Sequence, residues 1–547
     1  MTNKQIANEF QSLGHLMELH GENKFKIRSY ANAYLTLRKL PEPLSEMSDE
    51  GISQIKGVGK AIAGKIRELL DNGQMATLEK FRDKTPKGIQ EMLKIKGFGP
   101  KKIKVIWDEL GIESIGELLY AVNENRLIEL NGFGSKTQED LKQKLEYYQK
   151  TKYQFHYATL LEEAELLQSE LEALIPNARI EFTGALRRAT NTSNAVELII
   201  GSESDLLAVI QSEFPNLEKV ADQIYRGHSS RDFPFIIYWS DLVSFGANQF
   251  KWTTAETLVK ELKAENFSGM AEESIVFEHL GLPYIAPELR ESLWAVDLAK
   301  ENRLPTLIEA KDIKGVVHAH STYSDGLQSL AEMAAYTQAQ GFEYLVITDH
   351  SKSAFYANGL KPDRVLQQFE EIDTLNAQYS DFKILKGIES DILSDGSLDY
   401  EEDILAQFDV IIASVHSNLR MDETKATQRL LGAIRNPYTH ILGHPTGRLL
   451  LSREGYPIDH KAIIDACAEF RVSIELNANP YRLDLDWSWI PYAMEKGVLI
   501  SINPDAHSTA GIHHIPYGIA SARKGGLDAQ NCLNARGLEA FLAAIKK

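Results

Sequence analysis

The sequence predicts a multidomain protein with an all-α N-terminal region, an α+β middle and a C-terminal α/β barrel. Three observations predict it. A Gly-apolar-Gly turn recurs in QIKGVGKAIAGKI at 54–66, KIKGFGPKKIKVI at 94–106 and ELNGFGSKTQEDL at 129–141. Short strand-like runs follow a helical stretch between 150 and 300. From Gly315 onward seven apolar runs alternate with helix-length segments: GVVHAHS, YLVITDHS, KILKGIESD, VIIASVHS, HILGHP, VSIELNAN and LISINPDAH. A chain of 547 residues is too long for one core, since domains hold roughly 100–200 residues. The expected boundaries are 1–80 and 81–150 for two helical domains, 151–300 for the middle and 308–547 for the barrel.

In the helical region, apolar residues such as Ile66, Leu69 and Leu70 recur at three- and four-residue spacing, the period of a one-sided helix. Glycine reaches backbone angles that other residues avoid, so Gly57 and Gly59, Gly97 and Gly99, and Gly132 and Gly134 can close tight turns between helices. The helix after each turn begins with free N–H groups, a seat for a phosphate. Lys60, Lys101 and Lys102, and Lys136 add charge there. The pattern resembles the helix-hairpin-helix motif, which holds DNA by its backbone without reading sequence. The plainer reading is three helical hairpins closed by Gly for geometry alone.

Composition narrows the classes. With 43% hydrophobic and 25% charged residues the chain is ordinary globular. It has no run of about 20 apolar residues, so no membrane span is expected. The start, MTNKQIANEF, does not read as a secretory signal. Cys467 and Cys532 lack CxxC spacing, which predicts neither a disulfide framework nor a thiolate zinc site and suits a reducing cytoplasm. A net charge of −18 argues against indiscriminate nucleic-acid binding. The first 110 residues nevertheless carry 19 Lys and Arg against 14 Asp and Glu, a local basic balance that suits phosphate contacts.

In the middle, Leu160 to Leu174 reads as a helix, and Ile180–Phe182, Val196–Ile200 and Phe235–Trp239 read as strands. The stretch GALRRATNTSNAVELII at 184–200 resembles the nucleotidyltransferase palm motif of family X DNA polymerases, in which Gly-Ser-x-Arg-Arg leads to two metal-binding aspartates. Gly184, Arg187 and Arg188 match. The aspartate positions fall on Ala195 and Glu197, and the third, from a later strand, on Ile236. Gln249 to Trp252 replace the nucleotide-positioning Tyr-Phe-Thr-Gly segment. Two Mg²⁺ ions need clustered carboxylates, so polymerase activity is expected to be absent. Asp232 and Asp241 are the nearby carboxylates that would have to substitute. ENKFKIRSYANAYLTL with the first glycine turn is similar to the DNA-end-binding domain of the same family. That similarity implies terminal-phosphate contacts from Lys24, Lys26, Arg28 and Tyr30, and places Lys65 where some members carry a Schiff-base lysine for abasic sugars.

The barrel segment carries the chemistry. His318 and His320 end the first run, and alternate residues of a strand face one side. Asp325 follows at a turn, then Asp349-His350, Glu389, His416, His444 and Asp505-x-His507, nearly all behind apolar runs. That puts them at the strand ends where barrels of this class build their sites. Mixed imidazole and carboxylate donors suit Zn²⁺, Mn²⁺ or Fe²⁺. The order HxHxxxxD, DH, E, H, H, DxH resembles the polymerase-and-histidinol-phosphatase (PHP) domain. The resemblance implies a distorted (β/α)₇ barrel with three divalent metals: one on His318, His320, Glu389 and Asp505, a second on Glu389, His416 and His444, a third on Asp325, His350 and His507. Arg448 and Arg482 are candidate cations for the phosphoryl oxygens. Asp349 is a candidate for orienting a neighbouring imidazole.

Together these segments resemble the bacterial family X polymerase with a C-terminal PHP domain. The resemblance implies Mn²⁺-dependent 3′→5′ exonuclease action, with abasic-site endonuclease action in some members. The expected partner is DNA at ends, gaps or nicks, bound by a cytoplasmic, nucleoid-associated monomer. An active gap-filling polymerase with divergent ligands and a phosphatase of the histidinol-phosphate type stay open as alternatives.

Overall fold

The computed structural model describes residues 1–547 apart from 2, 39, 41, 96, 129, 151–153, 204–206 and 547. Lys96 and Glu129 of the repeated turns, and the expected boundary at 151, lie outside the described residues. The chain forms two compact units, Met1–Tyr148 and Gln149–Lys547. Among the described residues no helix is long and apolar enough to cross a membrane.

The first unit is helical. The helix Lys60–Asn72 buries Ile62, Ala63, Ile66 and Leu69 and stops at Gly73, which has φ 70°. Pro100–Leu110 starts on Pro, buries Ile103 and Ile106, and stops at Gly111 with φ 64°. Pro at the first position and left-handed Gly past the last are the usual ends of a helix. The three turns that precede helices Lys60–Asn72, Pro100–Leu110 and Ser135–Lys150 have Gly57, Gly97 and Gly132 at φ 89°, 82° and 86°.

In the second unit, helix Tyr157–Leu174 packs on a five-stranded sheet. Its order is Arg179–Phe182, Val196–Gly201, Pro234–Ser240, Ile224–His228, Glu218–Ala221. Among the described residues of this sheet only Val196–Gly201 and Pro234–Ser240 pair in parallel. Helices between Phe245 and Lys300 form a separate small core around Phe250, Phe277 and Leu289.

The barrel follows. Its strands are β1 (Gly315–Ala319), β2 (Tyr344–Ile347), β3 (Lys383–Asp391), β4 (Val410–Ser414), β5 (Ile441–Leu442), β6 (Ser473–Asn477) and β7 (Ile500–Asn503). They pair in chain order and in parallel. A bridge from Ala319 to Ala506, just past β7, nearly closes the ring. The result is the (β/α)₇ barrel expected from the sequence.

The α+β region and the barrel are tied by buried polar contacts. Lys524, on the helix Ile515–Lys524, is buried and donates to Glu291 Oε2 at 2.6 Å and the Arg188 carbonyl at 3.1 Å. Glu291 also holds Arg188 Nε at 3.2 Å. His156 donates through Nε2 to the Leu450 carbonyl at 3.1 Å, and its ring lies 4.6 Å from that of Tyr481. Burial lowers the His156 pKa from 6.5 to about 4. The folded state thus holds the neutral ring. Its contribution is complete above pH 6.5, and is lost as pH falls from there through about 4. At full protonation the loss is about 3 kcal/mol. Urea unfolding at pH 7 and pH 4 is expected to show a smaller acid-induced loss for His156→Gln than for the wild type.

Candidate metal centre

At the C-terminal ends of the strands the nine sequence-predicted residues converge. β1 is bulged there: its register shifts between Val317 and Ala319, and His318 has φ 69°. The His318 and His320 rings therefore meet, 5.3 Å apart, through a bulge and not through simple strand alternation. Opposite them, Asp505 has φ 51°. Ala506 N–H donates to the His318 carbonyl at 3.1 Å and His320 N–H to the Ala506 carbonyl at 2.8 Å, which locks the two loops together.

Glu389, on β3, is the hub. Its Oε1 lies 3.1 Å from His416 Nε2, 3.1 Å from His444 Nε2 and 3.4 Å from His318 Nε2, and its Oε2 lies 2.9 Å from His350 Nδ1. Asp505 Oδ1 lies 3.2 Å from His320 Nε2 and 3.4 Å from His318 Nε2. Asp325 faces His350 Nε2 at 3.6 Å and His507 Nε2 at 3.4 Å. Donor atoms gather into three groups: His318, His320 and Asp505; His350, Glu389 and His416; and His320, Asp325, His350 and His507. His320 and His350 thus each stand in two groups, which the expected partition did not foresee.

The donor set fits divalent cations. Among the described residues no hydrogen-bond partner serves the buried His318 Nε2, His320 Nδ1, Asp325 Oδ2, His350 Nε2 or Glu389 Oε2. Buried polar atoms of a folded protein are nearly always satisfied, and these aim lone pairs into a space ringed by oxygen and nitrogen. Electrostatics agrees. Burial opposes the charge of Glu389, yet His416, His318 and His350 hold its carboxyl well below the usual range. Asp325 behaves likewise against burial through His507 and His350. Burial also opposes charge on His350, but Asp325 and Glu389 raise its pKa to about 10: the carboxylates favour positive charge at this point, which a cation would supply in place of the ring proton.

Two carboxylates were missed in the sequence. Glu475, on β6, accepts from His318 Nδ1 at 2.6 Å, from the His444 backbone N–H at 3.1 Å, and from Asn477 and Asn503 at 3.0 and 2.7 Å. Asp391, at the end of β3, accepts from His416 Nδ1 at 2.6 Å. Each leaves the Nε2 of its histidine facing the cluster. The signal was present: both lie in runs already read as strands, Glu475 in the middle of VSIELNAN and Asp391 at the end of KILKGIESD.

Other expectations change. Asp349 orients no imidazole through its hydrogen bonds. It accepts from Ser321 N and Oγ at 2.8 and 2.7 Å, Ser324 N at 3.1 Å and Gln368 at 2.6 Å, and so fixes the loop that carries Asp325. Arg448 is spent on Asp486 at 2.6 Å and on the Arg482 and Leu483 carbonyls. Arg482 does reach the centre, with Nε 3.8 Å from Asp505 Oδ2.

The remaining candidates lie elsewhere. Glu197 is tucked against Gly184, accepting from Ala185 N–H at 2.6 Å and Tyr238 Oη–H at 3.2 Å. Burial raises its pKa. Ala195 is buried, and Ile236 pairs with Glu197 across the parallel strands. Arg187 pairs with Glu273 at 2.9 Å. Asp241 is exposed and accepts from Ser244 N–H at 2.7 Å. Asp232 is exposed on a turn. In the first unit, Lys65 Nζ donates to Thr77 Oγ1 at 2.5 Å. Lys24, Lys26 and Arg28 are exposed on the helix Lys24–Leu37, with Tyr30 half-buried beside them. Lys60 and Lys101 are exposed, and Lys102 is half-buried. A Cβ placed on Gly59, Gly99 or Gly134 would meet nothing within 4 Å, so backbone N–H groups at these turns are open to close approach.

Comparison with known proteins agrees with this layout. Residues 1–75 match a helix-hairpin-helix domain, 89–146 a SAM-like helix-hairpin-helix tandem, and 317–479 a PHP domain. The chain is 35% identical to the DNA polymerase/3′-5′ exonuclease PolX of Bacillus subtilis, with all of both chains covered. A probable phosphatase of Thermoanaerobacter sp. is 27% identical over 40% of this chain and 85% of its own length. One from Caldanaerobacter subterraneus is 28% identical over 35% of this chain and 74% of its own length.

Proposed function

The chain belongs to the family X DNA polymerases that carry a C-terminal PHP domain, and from that membership we propose that it is a 3′→5′ exonuclease whose polymerase palm no longer transfers nucleotides. The observation that carries the proposal is the convergence of six imidazoles and three carboxylates on Glu389 and Asp505 in a chain that also presents three open glycine turns.

His318, His320, Asp325, His350, Glu389, His416, His444, Asp505 and His507 would hold three divalent cations, with Mn²⁺ as the working ion and Zn²⁺ or Fe²⁺ as the competing ones. When bound, such ions polarise phosphoryl oxygens and lower the pKa of water near neutrality. The chain's own residues set the geometry. Glu475 and Asp391 hold His318 and His416 in one tautomer. Asp349 keeps the Ser321–Asp325 loop against the cluster. Arg482 brings a fixed positive charge to its edge, where charge develops on the scissile phosphate.

The same logic reads the palm as silent. Glu197 is the one acid at the three matched positions, and its oxygens are already taken by Ala185 N–H and Tyr238. Arg187 and Arg188 are engaged by Glu273 and Glu291. The palm then serves as a docking layer that carries DNA to the barrel, and abasic-site cleavage, where it occurs, belongs to the barrel or to Lys65.

The test is a 5′-labelled primer on a gapped template with Mn²⁺ and all four deoxynucleoside triphosphates. Shortening from the 3′ end without extension is expected, and His350→Ala should leave the primer intact. Extension would overturn the reading of the palm. An untouched primer, with hydrolysis of a small phosphomonoester, would replace the nuclease by a phosphatase.

A further inference from the structure

Among the described residues of the barrel domain, six large hydrophobic side chains are exposed: Leu327, Phe355, Tyr356, Leu366, Leu451 and Leu542. Three of them, Leu327, Phe355 and Tyr356, stand on the loops that leave the metal-binding ends of β1 and β2. Leu327 N–H donates to the His507 carbonyl at 2.8 Å, so this residue borders the centre directly. Phe355 is the most exposed of the six, at 86%.

The loop under Phe355 is held firmly. Ser351 N–H donates to the Glu389 carbonyl at 3.1 Å, and Leu360 N–H to the His350 carbonyl at 2.8 Å. Ser353 donates from N–H to Asp399 at 2.6 Å and from Oγ to Asp391 at 2.7 Å. Asp391 is also the carboxylate that holds His416, so loop and metal centre share one anchor. Next to Phe355, the Tyr356 ring packs edge-on to the His350 ring with centroids 6.2 Å apart. A fixed loop thus presents a bare aromatic ring to solvent beside a centre built for phosphate chemistry.

A single exposed ring is ordinary on a protein surface, but Phe355 and Tyr356 are exposed side by side on the loop that carries His350. A phosphodiester in the centre carries its nucleobase one sugar away, outside the polar floor. Every base has a flat π face, and stacking on an aromatic side chain tolerates any sequence. Lys352, three residues earlier on the same loop, is half-buried and holds its ammonium over the Tyr400 ring at 5.5 Å, which fixes the loop further. We propose that Phe355 is the stacking platform for the 3′-terminal base of the DNA strand hydrolysed at the metal centre. The proposal rests on the nuclease reading above. It commits the rim to a nucleobase and not to a partner protein.

Two oligonucleotides separate the possibilities, one ending in an ordinary 3′ nucleotide and one in an abasic tetrahydrofuran residue. The Mn²⁺-loaded wild type is expected to prefer the base-ended strand by about ten-fold in KM, the scale of one base–aromatic stack. Phe355→Ala should abolish that difference, and Phe355→Trp should keep it. Quenching of a 3′-terminal 2-aminopurine, read with Mn²⁺ on a strand whose last linkage is a non-hydrolysable methylphosphonate and so apart from turnover, should be lost in Phe355→Ala alone. Equal KM values for the two strands in the wild type, or unchanged quenching in Phe355→Ala, overturns the stacking role while the nuclease stands. A drop in kcat on both strands with the preference intact also overturns it, because the ring would then shape the centre itself. If the wild type shortens neither strand, the nuclease reading fails and this proposal falls with it.

Discussion

Glu389→Gln is expected to abolish DNA hydrolysis and to strip the centre of cations. Among the described residues Glu389 faces five imidazoles, those of His318, His320, His350, His416 and His444. The amide keeps the volume and removes the charge that pulls cations into a buried site. Losing several kcal/mol of transition-state charge stabilisation lowers the rate by about three orders of magnitude. Metal content per chain, measured by mass spectrometry after desalting, should fall together with activity. A variant that retains its full metal complement and its rate would show that Glu389 is not a ligand.

The second large effect is expected in the first unit. Gly57 and Gly97 have φ 89° and 82°, and proline locks φ near −65°. Gly57→Pro with Gly97→Pro therefore breaks both turns and turns the N–H groups of the following helices away from the phosphates. DNA affinity should fall by about ten- to a hundred-fold, with a shallower dependence on salt as phosphate contacts are lost. Fluorescence anisotropy of a labelled gapped duplex across a salt series measures both. Hydrolysis of a small phosphodiester by the barrel should be preserved, which separates lost binding from lost chemistry. Unchanged affinity would mean that the turns at Gly57 and Gly97 are plain helical hairpins.

The barrel was legible because its chemistry sits at strand ends. His318, Glu389 and Asp505 each end an apolar run, and that local pattern survives without any knowledge of distant contacts. Glu475 sits in the middle of its run and not at the end, and its value lies in a contact with His318, 157 residues away, which no local spacing reveals. The bulge at His318 was hidden for a similar reason, since it depends on how Val317 and Ala319 pair with Val346 and Ile347 of the neighbouring strand. Arg448 and Arg482 looked equivalent beside two strand-end motifs, and only packing shows that Asp486 takes the first while the second reaches Asp505. In the palm the loss of acids was plain in Ala195 and Ile236. The engagement of Glu197 by Ala185 and Tyr238 was not, because it needs the left-handed turn at Gly184.

His318 and Asp505 both hold left-handed backbone conformations, each of which costs about 1–3 kcal/mol in a residue other than Gly. Cations bound in the centre would offset that load by binding the folded chain alone. Lower abundance of this protein in metal-starved cells than in metal-replete ones is therefore the expected result, since a less stable chain is cleared sooner.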